Sequence, residues 1–316
     1  MSQSLFKILS IDGGGIRGAF PAHILRCIYE RLGVDVFDAF DMIAGTSTGA
    51  IIAAGVACKK SPTDIAELYS EYGCEIFGHK KKSLWPSLAK QGMHSKYENS
   101  ALRKMLCDEF LDTRLGEIEK PLLIPATDIG HGGVHVFKSN YSEGFTRDIN
   151  VPVKDAVLAS CSAPAFFDPT KVDNYLLADG GVWANNPALA AVIDATHRLS
   201  VDIQNIRILS LGTGHSRAAY GTQTDKNWGL LNGWKGRRFI DFLLSLQAQS
   251  TQNYLHLLLG EEQLLRLDFE SDTQLPLDDA TCLNDLVSRA DRTFTHSSQD
   301  LARFFNISKG GKHGSK

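Results

Sequence analysis

Six cysteines are spread through 316 residues, and none forms a C-x-x-C pair. That leaves no zinc ribbon and no dithiol redox motif. No H-E-x-x-H cluster is present, so the usual helical zinc signature is missing too. Most of the cysteines (Cys27, Cys58, Cys74, Cys107, Cys161 and Cys282) stand in apolar company and read as small buried hydrophobes. The chain also lacks an excess of one charge: its formal net charge is −3. Attraction to a DNA or RNA polymer or to an anionic membrane must therefore come from a local patch, and no nucleic-acid polymer is expected as partner. The first fifteen residues have no charged leader region, and Lys7 interrupts their short apolar run, so no signal peptide is expected. Met42 to Cys58 is uncharged but short. It carries Thr46, Ser47, Thr48 and several glycines, which suits a strand and helix rather than a membrane span. A cytoplasmic protein is the expectation. No internal repeat or low-complexity linker interrupts the sequence, and only the polar, glycine-rich residues 309–316 are expected to be disordered.

Against these absences stands an ordinary globular composition, with 43% hydrophobic and 22% charged residues. Residues 5–11 predict a first strand that the glycines at 13–15 end abruptly. A helix over Ala19 to Leu32, closed by Gly33, follows. Residues 41–44 predict a short strand, 45–48 a turn, and the next residues a helix through Cys58. Ser61-Pro62 and Asn99 predict two further helix starts, each with the polar residue as cap. Strands are expected at 121–128 and 134–138, helices at 153–160 and 187–198, and a strand at 206–211. A long helix is expected from about 237 to 259, with a late strand at 263–269. Strands alternating with helices predict an α/β fold with a mainly parallel sheet covered on both faces.

Three motifs carry chemistry. Gly45-Thr46-Ser47-Thr48-Gly49 fits G-x-S-x-G between an apolar strand and an apolar helix, the context of a nucleophile elbow. A sharp turn there exposes the serine hydroxyl in front of a helix N-terminus, which favours developing negative charge. Asp12-Gly13-Gly14-Gly15-Ile16-Arg17-Gly18 leaves backbone N–H groups unshielded, as an oxyanion hole requires. The same glycines at 13, 15 and 18 fit a dinucleotide fingerprint, with Asp35, Asp38 and Asp41 at about the right spacing for its acidic residue. However, Asp41 precedes a strand instead of ending one. Asp179, in Leu176-Leu177-Ala178-Asp179-Gly180-Gly181, places an acid at an apolar strand end, where it could take the serine proton. A Ser-His-Asp triad in α/β-hydrolase order would recruit His197, His215, His256 or His296, with His215 the best placed. A non-enzymatic nucleotide- or lipid-binding protein is the remaining alternative.

Taken in order, DGGGIRG at 12–18, GTSTG at 45–49 and ADGG at 178–181 resemble the patatin-like phospholipases. Ser162-Ala163-Pro164 and Asn185-Asn186-Pro187 look like further features of that family, and the resemblance spans about residues 5–215. It implies a three-layer α/β/α sandwich, with one catalytic domain over 1–308 whose part beyond 216 is helical. It implies Ser47 as nucleophile, Asp179 as base, Gly13, Gly14 and Gly15 as oxyanion hole with Arg17 beside them, and no catalytic histidine, metal or cofactor. The implied substrate is membrane phospholipid, reached peripherally at the inner membrane surface. Some bacterial members of similar size are effectors of anti-phage signalling, switched on by cyclic oligonucleotides. A cyclic di- or trinucleotide activator and assembly into a homo-oligomer are expectations by that route.

Two stretches suggest contact with lipid or a phosphodiester. Residues 79–97 hold Lys80, Lys81, Lys82, Lys90 and Lys96 and no acid, with Trp85 and Leu88 between them. They could form a lid or a solvated insertion. Trp228, Leu230, Leu231 and Trp234 precede Lys235, Arg237 and Arg238, a pattern that suits membrane interfaces or core packing.

Overall fold

Strand β1 (Phe6–Ile11) sends Ile8 into one hydrophobic cluster and Leu9 and Ile11 into another. This is the period-two alternation of a strand covered on both faces. The computed structural model describes residues 5–78, 99–216, 234, 237–272 and 275–307. The lysine-rich segment, most of the tryptophan-rich stretch and the glycine-rich tail lie outside the described residues.

After β1 come α1 (Ala19–Leu32), α2 (Val36–Ala39), β2 (Met42–Gly45), α3 (Thr48–Ala57), α4 (Pro62–Gly78) and α5 (Ser100–Phe110). Then follow β3 (Leu122–Asp128), β4 (Gly133–Lys138), α6 (Val153–Ser160), β5 (Thr170–Val172), β6 (Tyr175–Asp179), α7 (Gly181–Ala184) and α8 (Ala188–Arg198). The last elements are β7 (Ile206–Leu211), β8 (His215–Ser216), α9 (Arg237–Leu258), β9 (Leu264–Leu267), β10 (Glu270–Ser271), α10 (Leu283–His296) and α11 (Ser298–Phe304). The expected elements recur within a residue or two at each end. Two expected caps differ in fate. Ser61 Oγ accepts the Asp64 N–H at 3.1 Å, whereas the Asn99 side chain makes no capping hydrogen bond to α5. Gly33 closes α1 as expected, in the left-handed conformation at φ 66°, with its N–H on the Tyr29 carbonyl.

The main sheet runs β5-β6-β3-β2-β1-β7-β9, with β4 also on β3. Pairings among β3, β2, β1, β7 and β9 are parallel. The hairpin partner β4 and the β5–β6 pair add antiparallel strands at one side. One face is covered by the larger cluster, which draws Phe20 and Ile28 of α1, Ile52 of α3 and Ala159 of α6 onto Leu9 and Ile43. Across the other face, Ala188, Val192 and Ala195 of α8 and Leu255 of α9 pack on Ile8, Met42 and Ile208. This is the expected three-layer α/β/α sandwich with a mainly parallel centre. The cysteines follow expectation only partly. Cys27 and Cys161 are buried, Cys58, Cys107 and Cys282 are half-buried, and Cys74 is exposed. Cys74 stands on α4 with an exposed side chain, while Gly73 before it and Ile76 two residues on are buried.

Candidate active site

Ser47 sits between β2 and α3 at φ 55°, ψ −124°, a strained state for a residue with a side chain. Two glycines make the turn sterically feasible. A Cβ on Gly49 would lie 2.3 Å from the Ile11 carbonyl oxygen, and one on Gly45 would lie 2.1 Å from the Gly49 carbonyl oxygen. The strain is held by a relay. The Ser47 N–H donates to Ser160 Oγ at 2.9 Å, and Ser160 Oγ donates to the Pro125 carbonyl at 2.6 Å. Beside it, Thr46 Oγ1 donates to the Ala184 carbonyl at 2.7 Å, tying the elbow to the segment after Asp179. Sequence reasoning passed over Ser160, because a serine at the end of an apolar helix carries no local signal of this contact.

The sheet brings the aspartate to the serine. Leu122 and Leu123 of β3 pair with β2, while Ala126 to Asp128 of the same strand pair with β6. The opposite edge of β3 is taken by β4, which pairs with both Leu123 and Ala126. So β2 and β6 share one edge of β3 and approach each other head to head. Ser47 follows the end of β2, and Asp179 is the last residue of β6. Pro125 lies at the fork between them, and its carbonyl is the one that Ser160 occupies.

Asp179 is only 4% exposed. Its Oδ1 accepts the Gly181 N–H at 2.7 Å, and the Ser47 side chain lies close enough to its carboxyl to favour the charged form. Burial pushes its pKa from 3.8 up to about 6, against the pull of the nearby Ser47 side chain and of the Gly181 N–H. Ser47 and Asp179 open onto one cleft, whose other walls are mainly apolar and include Ile51, Leu68, Met105, Phe166 and Phe167. Cys161 also lines this cleft, and burial holds its thiol well above the ordinary range, so it stays protonated.

The glycine loop borders the same cleft through Gly14 and Gly15. Its three N–H groups are not equivalent. The Gly13 N–H donates to the Asn185 carbonyl at 3.0 Å, so it is engaged inside the protein. Among the described residues, no acceptor is found for the N–H of Gly14 or Gly15. The expectation of three donors thus narrows to two, with Gly13 anchoring the loop. Arg17 is buried and reaches the Gly14 carbonyl through Nε at 3.4 Å and Asp241 through Nη2 at 3.0 Å. It therefore braces the loop from behind.

No histidine lines the cleft among the described residues. His197, His256 and His296 are exposed. His215 lies in a neighbouring cleft lined largely by polar residues, with Nδ1 3.9 Å from Asp268, whose carboxylate raises the imidazole pKa. None of the four completes a triad with Ser47. The dinucleotide reading fails as well. Asp35 caps α2, and Asp41 accepts the Lys7 N–H just before β2 begins, at the end of that strand away from the glycine loop. One cluster of metal-ligating type is found among the described residues, His23, Cys27 and Asp291. It lies outside the Ser47 cleft, and its carboxylate is bound by Arg31.

A family model described as Patatin-like phospholipase matches residues 9–192, which include Ser47, Asp179 and the glycine loop. The chain belongs to the patatin-like phospholipase family. A cGAMP-activated phospholipase of Pseudomonas aeruginosa is 30% identical over 258 residues, spanning 81% of this chain and 76% of that protein. A second cGAMP-activated phospholipase, from Vibrio cholerae, is 29% identical over 339 residues, spanning 95% of this chain and 94% of its own. VipD of Legionella pneumophila aligns in structure over 96% of this chain and 67% of its own, at 12% identity and a TM-score of 0.49. In this patatin-like chain the aspartate and the serine line one cleft, with no imidazole among its described walls.

Proposed function

We propose that this chain is a serine lipid acyl hydrolase acting on phospholipid through Ser47 and Asp179. The observation that carries the reading is the juxtaposition of Ser47 and Asp179 in one mainly apolar cleft without a histidine among its described walls. Asp179 takes the proton from Ser47 Oγ, which attacks the ester carbonyl. The N–H groups of Gly14 and Gly15 receive the oxyanion, supported by the N-terminus of α3 behind Ser47. The lysolipid alcohol leaves with the proton held on Asp179, and an acyl-serine remains. Water then attacks the acyl-serine, giving its proton to Asp179, which returns it to Ser47 Oγ as the fatty acid is released. A carboxyl raised to about 6 is a stronger base than a free aspartate and is still mostly ionised at pH 7.

The apolar walls suit a fatty-acyl chain. Among the described residues no helix is long and apolar enough to cross a membrane, which fits peripheral action on the inner membrane surface. The names of the bacterial relatives support a cyclic oligonucleotide as activator. A shift from about 1% to 99% competent molecules needs roughly 5.5 kcal/mol of differential binding, and ordering a segment or assembling subunits could supply it. Fatty-acid release from phospholipid vesicles tests both parts, with and without a panel of cyclic di- and trinucleotides. Ser47→Ala should abolish release. Release that persists in pure Ser47→Ala protein refutes the hydrolase reading, and equal release with and without every nucleotide refutes the activation.

A further inference from the structure

The peptide plane offers a way to ask what aims the two free N–H groups. In a trans peptide the carbonyl and the next residue's N–H point in opposite directions. Whatever grips the Gly13 carbonyl therefore sets the direction of the Gly14 N–H, and whatever grips the Gly14 carbonyl sets that of Gly15. Arg17 grips the Gly14 carbonyl through both its N–H at 3.1 Å and its Nε. Thr213 Oγ1 grips the Gly13 carbonyl at 2.8 Å, and Asn185 Nδ2 reaches it only at 3.4 Å.

We infer that Thr213 is a positioning residue that aims the Gly14 N–H at the oxyanion. The inference rests on the hydrolase reading of Ser47. Thr213 is 4% exposed and lies flat against the loop. A Cβ on Gly14 would meet Thr213 Oγ1, Cβ and Cγ2 at 2.3, 2.5 and 2.9 Å. The hydroxyl thus fixes one end of the Gly13–Gly14 peptide while the methyl side blocks the loop from dropping back. Thr213 is itself held. It follows β7 in a turn whose Gly214 N–H donates to Asp268 Oδ1 at 2.8 Å. Arg266 binds Asp268 at 2.6 Å and forks onto Asp12 at 3.0 and 2.7 Å. One guanidinium therefore fixes the residue that opens the glycine loop and the turn that supports it, 200 residues apart in sequence. A rigid support of this kind suits preorganised electrostatic stabilisation, where donors must already point at the developing charge.

The test compares Thr213→Val, which keeps the shape and removes the hydroxyl, with Thr213→Ser, which keeps the hydroxyl. Turnover of p-nitrophenyl butyrate is measured per active site, with sites counted by fluorophosphonate labelling. Inhibition by an alkyl trifluoromethyl ketone, which forms a tetrahedral oxyanion on the serine, is measured alongside. Thr213→Val should lower kcat by roughly 10- to 100-fold, below the full loss of one oxyanion donor, with KM within about twofold. Its ketone Ki should rise by the factor by which kcat/KM falls, and Thr213→Ser should restore most of both. Fewer labelled sites with unchanged kcat per site would mean a purely structural role and overturn the inference. So would unchanged kcat and Ki in Thr213→Val when the unmodified enzyme is active. An unmodified enzyme that neither labels nor hydrolyses in the presence of each of the cyclic di- and trinucleotides overturns the hydrolase reading, and this inference with it.

Discussion

Replacing Asp179 by Asn removes a charge that its surroundings disfavour, and the sign of the effect on stability runs opposite to the effect on activity. The carboxyl is 4% exposed and is pushed from 3.8 to about 6 by burial. Between those values the unfolded chain has already released its proton while the folded chain still holds it. Stability therefore falls as pH rises from about 4 to about 6 and stays lower above that. A shift of about two units corresponds to roughly 3 kcal/mol, taking 1.36 kcal/mol per unit. Asn is the same size, keeps an oxygen for the Gly181 N–H and carries no charge to desolvate. Asp179→Asn should therefore melt about 5 °C higher than the unmodified protein at pH 8, at roughly 2 °C per kcal/mol for a chain of this length. The gain should shrink toward zero at pH 4. Thermal unfolding at the two pH values measures it, with ester hydrolysis in parallel, where the variant should be nearly inactive. A variant that melts at or below the unmodified protein at pH 8, or whose difference is the same at both pH values, would refute the claim that burial of this charge dominates the site.

Three further outcomes follow from the same geometry. Because Asp179 must be ionised to act as base, kcat/KM for a soluble ester should rise with pH through about 6 and then level; a flat profile from pH 5 to 8 excludes it as the titrating base. Ser160→Ala removes the acceptor of the Ser47 N–H and the donor to the Pro125 carbonyl. It should cost about 1–3 kcal/mol in stability and reduce turnover, as read by denaturant unfolding and initial rates. Gly14→Ala forces a Cβ against Thr213 at 2.3–2.9 Å, so turnover should fall by tenfold or more with little change in KM, since the loop moves while the acyl walls do not; an unaltered kcat counts against Gly14 as a donor.

The sequence by itself determined the alternation of strands and helices, because burial on both faces writes an apolar pattern into each segment. It also marked the elbow. Gly45 and Gly49 are needed wherever backbone passes within 2.1–2.3 Å of a Cβ position, and only glycine meets that demand. The triglycine loop and the Asp-Gly-Gly strand end were legible for the same local reason. Pairing was not. That Asp179 meets Ser47 follows from β2 and β6 sharing one edge of β3, a relation between strands far apart in the chain. Tertiary structure alone decided which glycine N–H groups stay free, since the partner of Gly13 is the distant Asn185. It also kept the four candidate histidines away from Ser47: His215 turns toward Asp268 in the neighbouring cleft, and His197, His256 and His296 are exposed. Ser160 and Thr213 sit at the ends of an apolar helix and strand, with nothing in their neighbours to mark them. Their hydroxyls acquire a task only where packing has brought a carbonyl within 2.6 and 2.8 Å, and hydrogen bonds of that range and direction exist only in the assembled fold.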